Sequence, residues 1–166
     1  MPEDAGWFFD SVTLFNFALA AGLHVLVGRY RGRGFVATQV VDELTRGVTA
    51  GYGALVGCLD LVDHGILRVV SLDRSERKIY RQLVAHLGAG EAGTIAAAHR
   101  RHGVVITDDL AARRTCADMR IAVTGTIGIL RASVGDGDLL LADANDLLRG
   151  MIEAGFYSPI DRLTAG

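Results

Sequence analysis

Cysteine, proline and lysine are all scarce in this sequence. Its 166 residues include two cysteines, two prolines and one lysine. Two cysteines form neither a disulfide framework nor the ligand spacing of a zinc site. Cys58 and Cys116 both stand among apolar neighbours, so we expect buried free thiols and a reducing, cytoplasmic setting. The sequence has no Pro-rich linker, and its length suits one domain, expected over 1–166 with a core of about 7–157.

A basic excess is also missing. The 17 basic and 19 acidic residues give a net charge of −2, which lacks the signature of a strongly basic nucleic-acid binder. Lys78 is the only lysine and the other basic residues are arginines. Arginine suits phosphate contacts, but composition alone favours codon bias as the reason for this imbalance.

No membrane span or signal peptide is expected. The apolar segment 7–28 is interrupted by Asp10, Asn16 and His24. A signal peptide begins with basic residues, whereas this sequence begins with acidic ones.

Short apolar segments alternate with amphipathic ones along the whole chain. This alternation predicts an α/β fold, specifically a three-layer α/β/α sandwich with a central, mostly parallel sheet of four to five strands. Strands are expected over 7–10, 35–38, 67–72, 104–107 and 120–123. Helices are expected over 13–26, from 40–44 onward, over 51–63, from the Asp73–Glu76 capping box to 87, over 91–102, 109–118, 127–133 and 141–154, and in a short tail beginning at Ser158 and Pro159.

Acidic residues follow two of the predicted strands. Asp10 ends the first strand, and Asp108 and Asp109 follow the strand 104–107. Ligands bind beyond the carboxyl ends of strands in such sheets. Glu43 and Glu91, near the starts of two helices, are candidates to join them. Each acid taken alone also has a purely structural interpretation, as a turn residue, a helix cap or an exposed side chain. A structural interpretation is less convincing when it has to hold for all of these acids at once.

Carboxylates that converge without basic partners repel one another, and their pKa values rise unless a cation compensates. Oxygen ligands favour hard divalent cations, so the pattern indicates Mg²⁺ or Mn²⁺. Such ions serve phosphoryl chemistry by activating water and stabilising the charged transition state.

The chain resembles the PIN-domain proteins, small metal-dependent ribonucleases that include the VapC-like toxins. The resemblance covers nearly the whole chain, from about 8 to 159. Each motif is weak alone, but their order and spacing together are specific. The segments that carry it are 10–15 (DSVTLF), 40–44 (VVDEL), 90–96 (GEAGTIA), 107–113 (TDDLAAR), 125–130 (GTIGIL) and 155–158 (GFYS).

The resemblance implies site roles for individual residues. Asp10, Glu43 and Glu91 would be catalytic metal ligands, together with Asp108 or Asp109. The family's Thr-x-Asp pattern points to Asp109, and the Asp-Asp pair leaves the choice open. The supporting residues implied are Ser11, Thr107 and Arg113.

The implied function is that of an endoribonuclease using one or two Mg²⁺ or Mn²⁺ ions, the toxin of a toxin–antitoxin pair. Its partners would be an RNA substrate, a cognate antitoxin and a second copy in a homodimer. Family members often carry another acid where this chain has Gly93, which motivates an alternative, a catalytically degenerate PIN-like module that binds RNA or protein. If four acids line one pocket, the rest of the chain carries 17 − 15 = +2, so the net charge does not exclude an RNA substrate.

Overall fold

The computed structural model describes residues 4–166, in which strands and helices alternate. The strands are β1 (Trp7–Phe9), β2 (Gly34–Ala37), β3 (Leu67–Val70), β4 (Val104–Ile106) and β5 (Val123–Thr124). The helices are α1 (Ser11–Leu19), α2 (Leu23–Tyr30), α3 (Thr38–Thr49), α4 (Val56–Asp63), α5 (Arg74–Leu83), α6 (Ala89–Arg100), α7 (Leu110–Asp118), α8 (Thr126–Gly135) and α9 (Leu141–Glu153).

The five strands form one parallel sheet in the order β3-β2-β1-β4-β5. The α/β sandwich predicted from the sequence is therefore confirmed. The strand order reverses at β1, which pairs with β2 on one side and β4 on the other. Ligands of open parallel sheets bind at such a reversal, beyond the carboxyl ends of the strands.

Two apolar cores cover the two faces of the sheet. Successive strand residues point to opposite faces, so Phe9 and Ile106 join one core while Phe8 and Val105 join the other. The first core includes residues of α1 to α4, α8 and α9, and the second includes residues of α5 to α7. This packing fixes β1 and β4 side by side in the centre of the molecule.

Several predicted elements differ in the structure, among them the last strand, which was expected over 120–123 and is Val123–Thr124. The helix expected over 13–26 is two helices, because Ala21 adopts a left-handed backbone (φ 55°) and ends the first of them. The Gly22 amide then donates to the Phe17 carbonyl (2.7 Å), which fixes the turn between α1 and α2. The segment expected to be helical over 51–63 begins with a short 3₁₀ turn, Gly53–Leu55, before α4.

The predicted tail helix at Ser158 and Pro159 is wrong, since no helix follows α9 in the part of the chain that the structure describes. The Ser158 hydroxyl donates to the Ile160 carbonyl (2.5 Å) and accepts from the Ile160 amide (3.3 Å), so it closes a local turn instead of capping a helix. The tail is held on α9 by Asn145, which bonds both backbone groups of the buried Leu163.

Among residues 4–166, no helix is both long and apolar enough to cross a membrane.

Candidate active site

The carboxyl ends of β1 and β4 bring two acidic segments together. Phe9 of β1 pairs with Ile106 of β4, and the Asp10 amide donates to the Ile106 carbonyl (3.0 Å). Because the strands are parallel, the residues that follow them, Asp10 and Thr107, lie side by side at one edge of the sheet. This edge is the one that the sequence predicts for ligand binding.

Asp10 is a buried carboxylate, with only 1% of its surface exposed. It caps α1, because Oδ1 accepts from the Thr13 amide (2.8 Å), and Oδ2 accepts from the Thr107 hydroxyl. Burial raises the pKa of Asp10 to about 7 even though these hydrogen bonds lower it. Without a compensating positive charge, Asp10 is therefore partly protonated at neutral pH.

Asp108 sits next to this residue and is surrounded by donors. Oδ1 accepts from the Thr126 amide (2.9 Å), and Oδ2 accepts from the Thr126 hydroxyl (2.5 Å). Longer bonds to Oδ2 come from Asn16 (3.3 Å) and Thr13 (3.4 Å). Asp108 thereby ties the start of α8 to α1, and a side chain on Gly125 would collide with its carboxylate.

The donors to Asp108 come from three residues, and none of the three is identified as a site residue by the sequence analysis. Asn16 and Thr13 read as helix residues, and Thr126 entered only as part of a family-like segment. The Gly125–Thr126 pair before a predicted helix was the available signal, because a glycine there lets the helix start approach an anion.

Asp109 has a different environment from its neighbour. It is exposed and caps α7, accepting from the Ala112 amide (2.7 Å). The Asp109 amide donates to the Thr107 hydroxyl oxygen (3.2 Å), whose proton goes to Asp10. Thr107 thus joins the two acidic segments. Among residues 4–166, the Oδ2 atom of Asp109 accepts no hydrogen bond, since the Ala112 amide bonds Oδ1.

Glu43 is held at the same edge by two donors from different elements. Oε1 accepts from the Gly90 amide (2.8 Å) and Oε2 from the Ser11 hydroxyl (2.5 Å). The close approach of α3 to α6 needs a glycine at Gly90, because a Cβ there would collide with the Glu43 carboxylate. Ser11 follows Asp10 directly, so the α1 start lies beside Glu43.

Glu91 stands in the first turn of α6 and is half-buried. Burial raises its pKa, and the nearby charges of Glu43 and Asp109 raise it further. Glu43 and Asp109 are therefore close enough to Glu91 to disfavour its charged form. The structure therefore groups the acids as Asp10 with Asp108, and Glu91 with Glu43 and Asp109, with Ser11 and Thr107 linking the groups.

Gln39 occupies the space next to Gly93. A Cβ on Gly93 would come within 2.8 Å of the Gln39 Oε1 atom. An acidic side chain at Gly93 would have to displace Gln39, whose neutral amide occupies the space beside this glycine.

The Arg113 side chain contacts the site at the Thr107 backbone. Its Nη1 atom donates to the Thr107 carbonyl (2.8 Å). Within residues 4–166 its guanidinium forms no ion pair with any of the site carboxylates.

The donor set fits a hard divalent cation. It consists of carboxylate oxygens, and a bound cation would lower again the raised pKa values of Asp10 and Glu91. Among the described residues, no three Asp, Glu, His or Cys side chains lie close enough to hold one ion jointly. Mg²⁺ suits a site with so few protein ligands, because it commonly binds one or two carboxylates and keeps several water ligands.

Replacing Thr126 by valine is expected to destabilise the fold. Valine keeps the shape but removes the hydroxyl donor to Asp108, leaving a partly buried carboxylate short of one bond. We expect the free energy of unfolding to fall by about 1–3 kcal/mol in a urea titration. Thr45→Val, which removes an exposed hydroxyl bond within α3, is the control and should cost less than half as much; equal losses would contradict the role of Asp108 as a structural tie.

Similarity to known proteins agrees with this geometry. A PIN-domain family model matches residues 7–165. No curated protein matches the chain. A chain in the crystal structure of VapBC2 from Rickettsia felis, bound to a DNA fragment from their promoter, has a similar fold, with a TM-score of 0.52 and 12% sequence identity. The match covers 72% of this chain and 97% of that one. Because the family model spans almost the whole length, the chain belongs to the PIN-domain family, as its sequence motifs indicate.

Proposed function

We propose that this protein is a Mg²⁺- or Mn²⁺-dependent endoribonuclease that hydrolyses RNA phosphodiesters. The observation that carries the proposal is the set of carboxylates at the carboxyl edge of β1 and β4, with the pKa values of Asp10 and Glu91 raised. PIN domains are generally nucleases, which supports a hydrolase.

Asp10, Glu43, Glu91 and Asp109 are the proposed catalytic residues, and one or two of them at a time, together with water, would hold each of one or two cations. When bound, the cation supplies an activated water and stabilises negative charge on the phosphoryl group. Asp108 has its oxygens engaged by Thr126, Asn16 and Thr13. Asp109 is more open, so we assign the ligand role to Asp109 and a positioning role to Asp108.

Three side chains support these acids. Ser11 and Thr107 donate to Glu43 and Asp10, which orients both carboxylates. Arg113 uses one guanidinium nitrogen on the Thr107 carbonyl, and its remaining N–H groups are proposed to bind a phosphate oxygen of the substrate.

The direct test is metal-dependent cleavage of RNA. A panel of structured RNAs is incubated with the purified protein in Mn²⁺, in Mg²⁺ and in EDTA, and the fragments are mapped on sequencing gels. Cleavage in the presence of either ion and none in EDTA is expected. Cleavage that persists unchanged in EDTA, or no cleavage of any RNA with either ion, would contradict the proposal.

The proposed biological role is the toxin of a toxin–antitoxin pair, acting as a homodimer. The structurally similar VapBC2 chain comes from an assembly bound to its promoter DNA, which supports an antitoxin partner here. Co-expression with the adjacent open reading frame should yield a complex on purification, and scattering mass should show two copies of this chain. A chain that harms no host and purifies alone argues against the toxin role.

The second candidate is a PIN-like binding module without catalysis. Gly93, with Gln39 filling the adjacent space, favours it because the site lacks one potential acid. The two candidates differ in metal affinity. For the nuclease, calorimetry should detect Mn²⁺ binding at millimolar metal that is lost in Asp109→Asn; for the binding module, no heat of binding is expected.

A further inference from the structure

Helix α5 carries a concentrated strip of positive charge. Arg74, Arg77, Lys78 and Arg81 stand at spacings of three, four and seven, which places them on one helical face. All four are exposed. The opposite face packs into the second core through Ile79 and Leu83, so the basic face lies on the outside of the helix, with one Arg77 nitrogen donating to the Leu72 carbonyl (2.7 Å). We call these four residues the α5 basic strip.

Acidic side chains do not neutralise this strip. Glu76 is the only acid between 74 and 90. It is 1% exposed and forms a two-pronged ion pair with Arg101 (2.7 and 3.1 Å). Glu76 also completes the capping box with Asp73. Within residues 4–166, none of the four strip residues takes part in an ion pair.

The arrangement is electrostatically unfavourable for the isolated helix. Arg74 with Lys78, and Arg77 with Arg81, are like-charged pairs four residues apart, and such pairs destabilise a helix. Surface helices usually relieve this by mixing charges of both signs. On α5 no acid stands at these positions, so a negatively charged ligand would relieve the repulsion.

One end of the α5 basic strip lies nearer the acidic site than the other. Residues 84–88 join α5 to α6, and Arg101, just after α6, bonds Glu76 near the start of α5. The two helices are therefore antiparallel, and the end of α5 that carries Arg81 is the end nearer Glu91. The strip spans about 11 Å along the helix axis.

We propose that the α5 basic strip binds the phosphate backbone of RNA and directs the strand towards the carboxylates of the site. This proposal rests on the proposed function, which makes RNA the ligand. A chain of net charge −2 has weak overall attraction for RNA, and a local strip of four cations supplies a positive potential that attracts the phosphate backbone.

The test compares two triple variants in an Asp10→Asn background, so that RNA stays intact. The strip variant is Arg74→Gln with Lys78→Gln and Arg81→Gln, which keeps good helix formers. The control variant removes three exposed arginines elsewhere, Arg46→Gln with Arg131→Gln and Arg162→Gln. Binding of a fluorescent 20-nucleotide single-stranded RNA is followed by anisotropy over a range of salt concentrations.

For the strip variant, the slope of log affinity against log salt should decrease by about 2, since each lost phosphate contact in a single strand contributes about 0.7. The control should change the slope by less than half as much. The strip variant should also unfold at a higher temperature than its parent at low salt, because repulsion is removed. This separates lost binding from lost folding.

The proposal is overturned if the strip variant keeps the parent's slope, if the control loses as much, or if the parent binds no RNA. Binding to poly-glutamate without binding to RNA would overturn it in favour of an acidic protein partner. The proposed function fails separately: an unaltered site that cleaves no RNA, while the strip variant shows the reduced slope, removes the nuclease and leaves the binding surface.

Discussion

Asp10→Asn is expected to reduce RNA cleavage by at least about 100-fold, because changes beside a metal already cost 10- to 100-fold and this one alters a proposed ligand. Asparagine keeps an oxygen that accepts the Thr13 amide, so α1 remains capped. What it loses is the negative charge at the most buried acid of the site. The measurement is kcat/KM for one RNA at saturating Mn²⁺, with mutant and native protein purified identically.

Asp63→Asn is the matched control for this change. Asp63 is an exposed acid at the end of α4, so the same substitution there removes one charge without touching the site. Its cleavage rate should stay within about twofold of the native rate, as expected for a surface change. Equal activity of Asp10→Asn and native protein would contradict the catalytic assignment, and equal losses in both variants would show a non-specific charge effect.

The second large effect is a loss of stability as the pH rises in the absence of divalent cations. The pKa of Asp10 is about 7 in the folded protein and about 3.9 in an unfolded chain. The folded state therefore binds the proton more tightly. Its stabilisation is complete below pH about 4 and is lost as the pH rises through about 7.

Between pH 5 and pH 8 this loss should amount to about 3 kcal/mol of unfolding free energy for the native protein in EDTA. Urea titrations at the two pH values measure it. Glu91, whose pKa is also raised, adds a smaller loss of the same sign. Asp10→Asn should remove most of the pH dependence, and the variant should be more stable than native protein at pH 8.

Mn²⁺ gives the complementary measurement. At pH 8 it should restore stability to the native protein, because a cation compensates the buried charge, and it should have little effect on Asp10→Asn. A flat pH dependence in EDTA would mean that Asp10 is better solvated than its burial implies. Equal stabilisation of both proteins by Mn²⁺ would place the ion elsewhere.

The sheet and the acids at its edge were predictable from sequence for the same reason. Buried parallel strands appear as short apolar runs such as 104–107, and the residue after each run must lie at the carboxyl edge. Asp10, Asp108 and Asp109 were identified in this way. The choice between the last two was not predictable, because it depends on donors that approach from α1 and α8.

Other features depend on geometry that no local pattern encodes. The break at Ala21 places an alanine in a left-handed backbone, a conformation that sequence propensity assigns to glycine or asparagine. The Ser158 hydroxyl bonds the backbone of Ile160, two residues further on, and so closes a turn, although Ser-Pro is typical of a helix start. The raised pKa of Asp10 follows from its complete burial, which becomes known only when the layers are assembled.

Net charge was the least informative sequence quantity. The value of −2 is a sum over the whole sequence, so it does not reveal that acids gather at one edge of the sheet and that four cations share one face of α5. The strip is visible in the sequence once α5 is known to bury Glu76, because helical spacing then assigns the cations to one outer face. Lys78, the only lysine, belongs to it.

The position of β1 in the sheet also affects when the site forms during synthesis. Asp10 is made early, but β1 completes its pairing only when β4 arrives about a hundred residues later, and Asp108 is held only when Thr126 has followed. A growing chain that ends before β4 therefore contains Asp10 without the strand that places it beside Thr107, and one that ends before Thr126 lacks the donor that holds Asp108. The acidic cluster is complete only in a chain whose synthesis has passed that point, which delays any activity of the site until most of the polypeptide has left the ribosome.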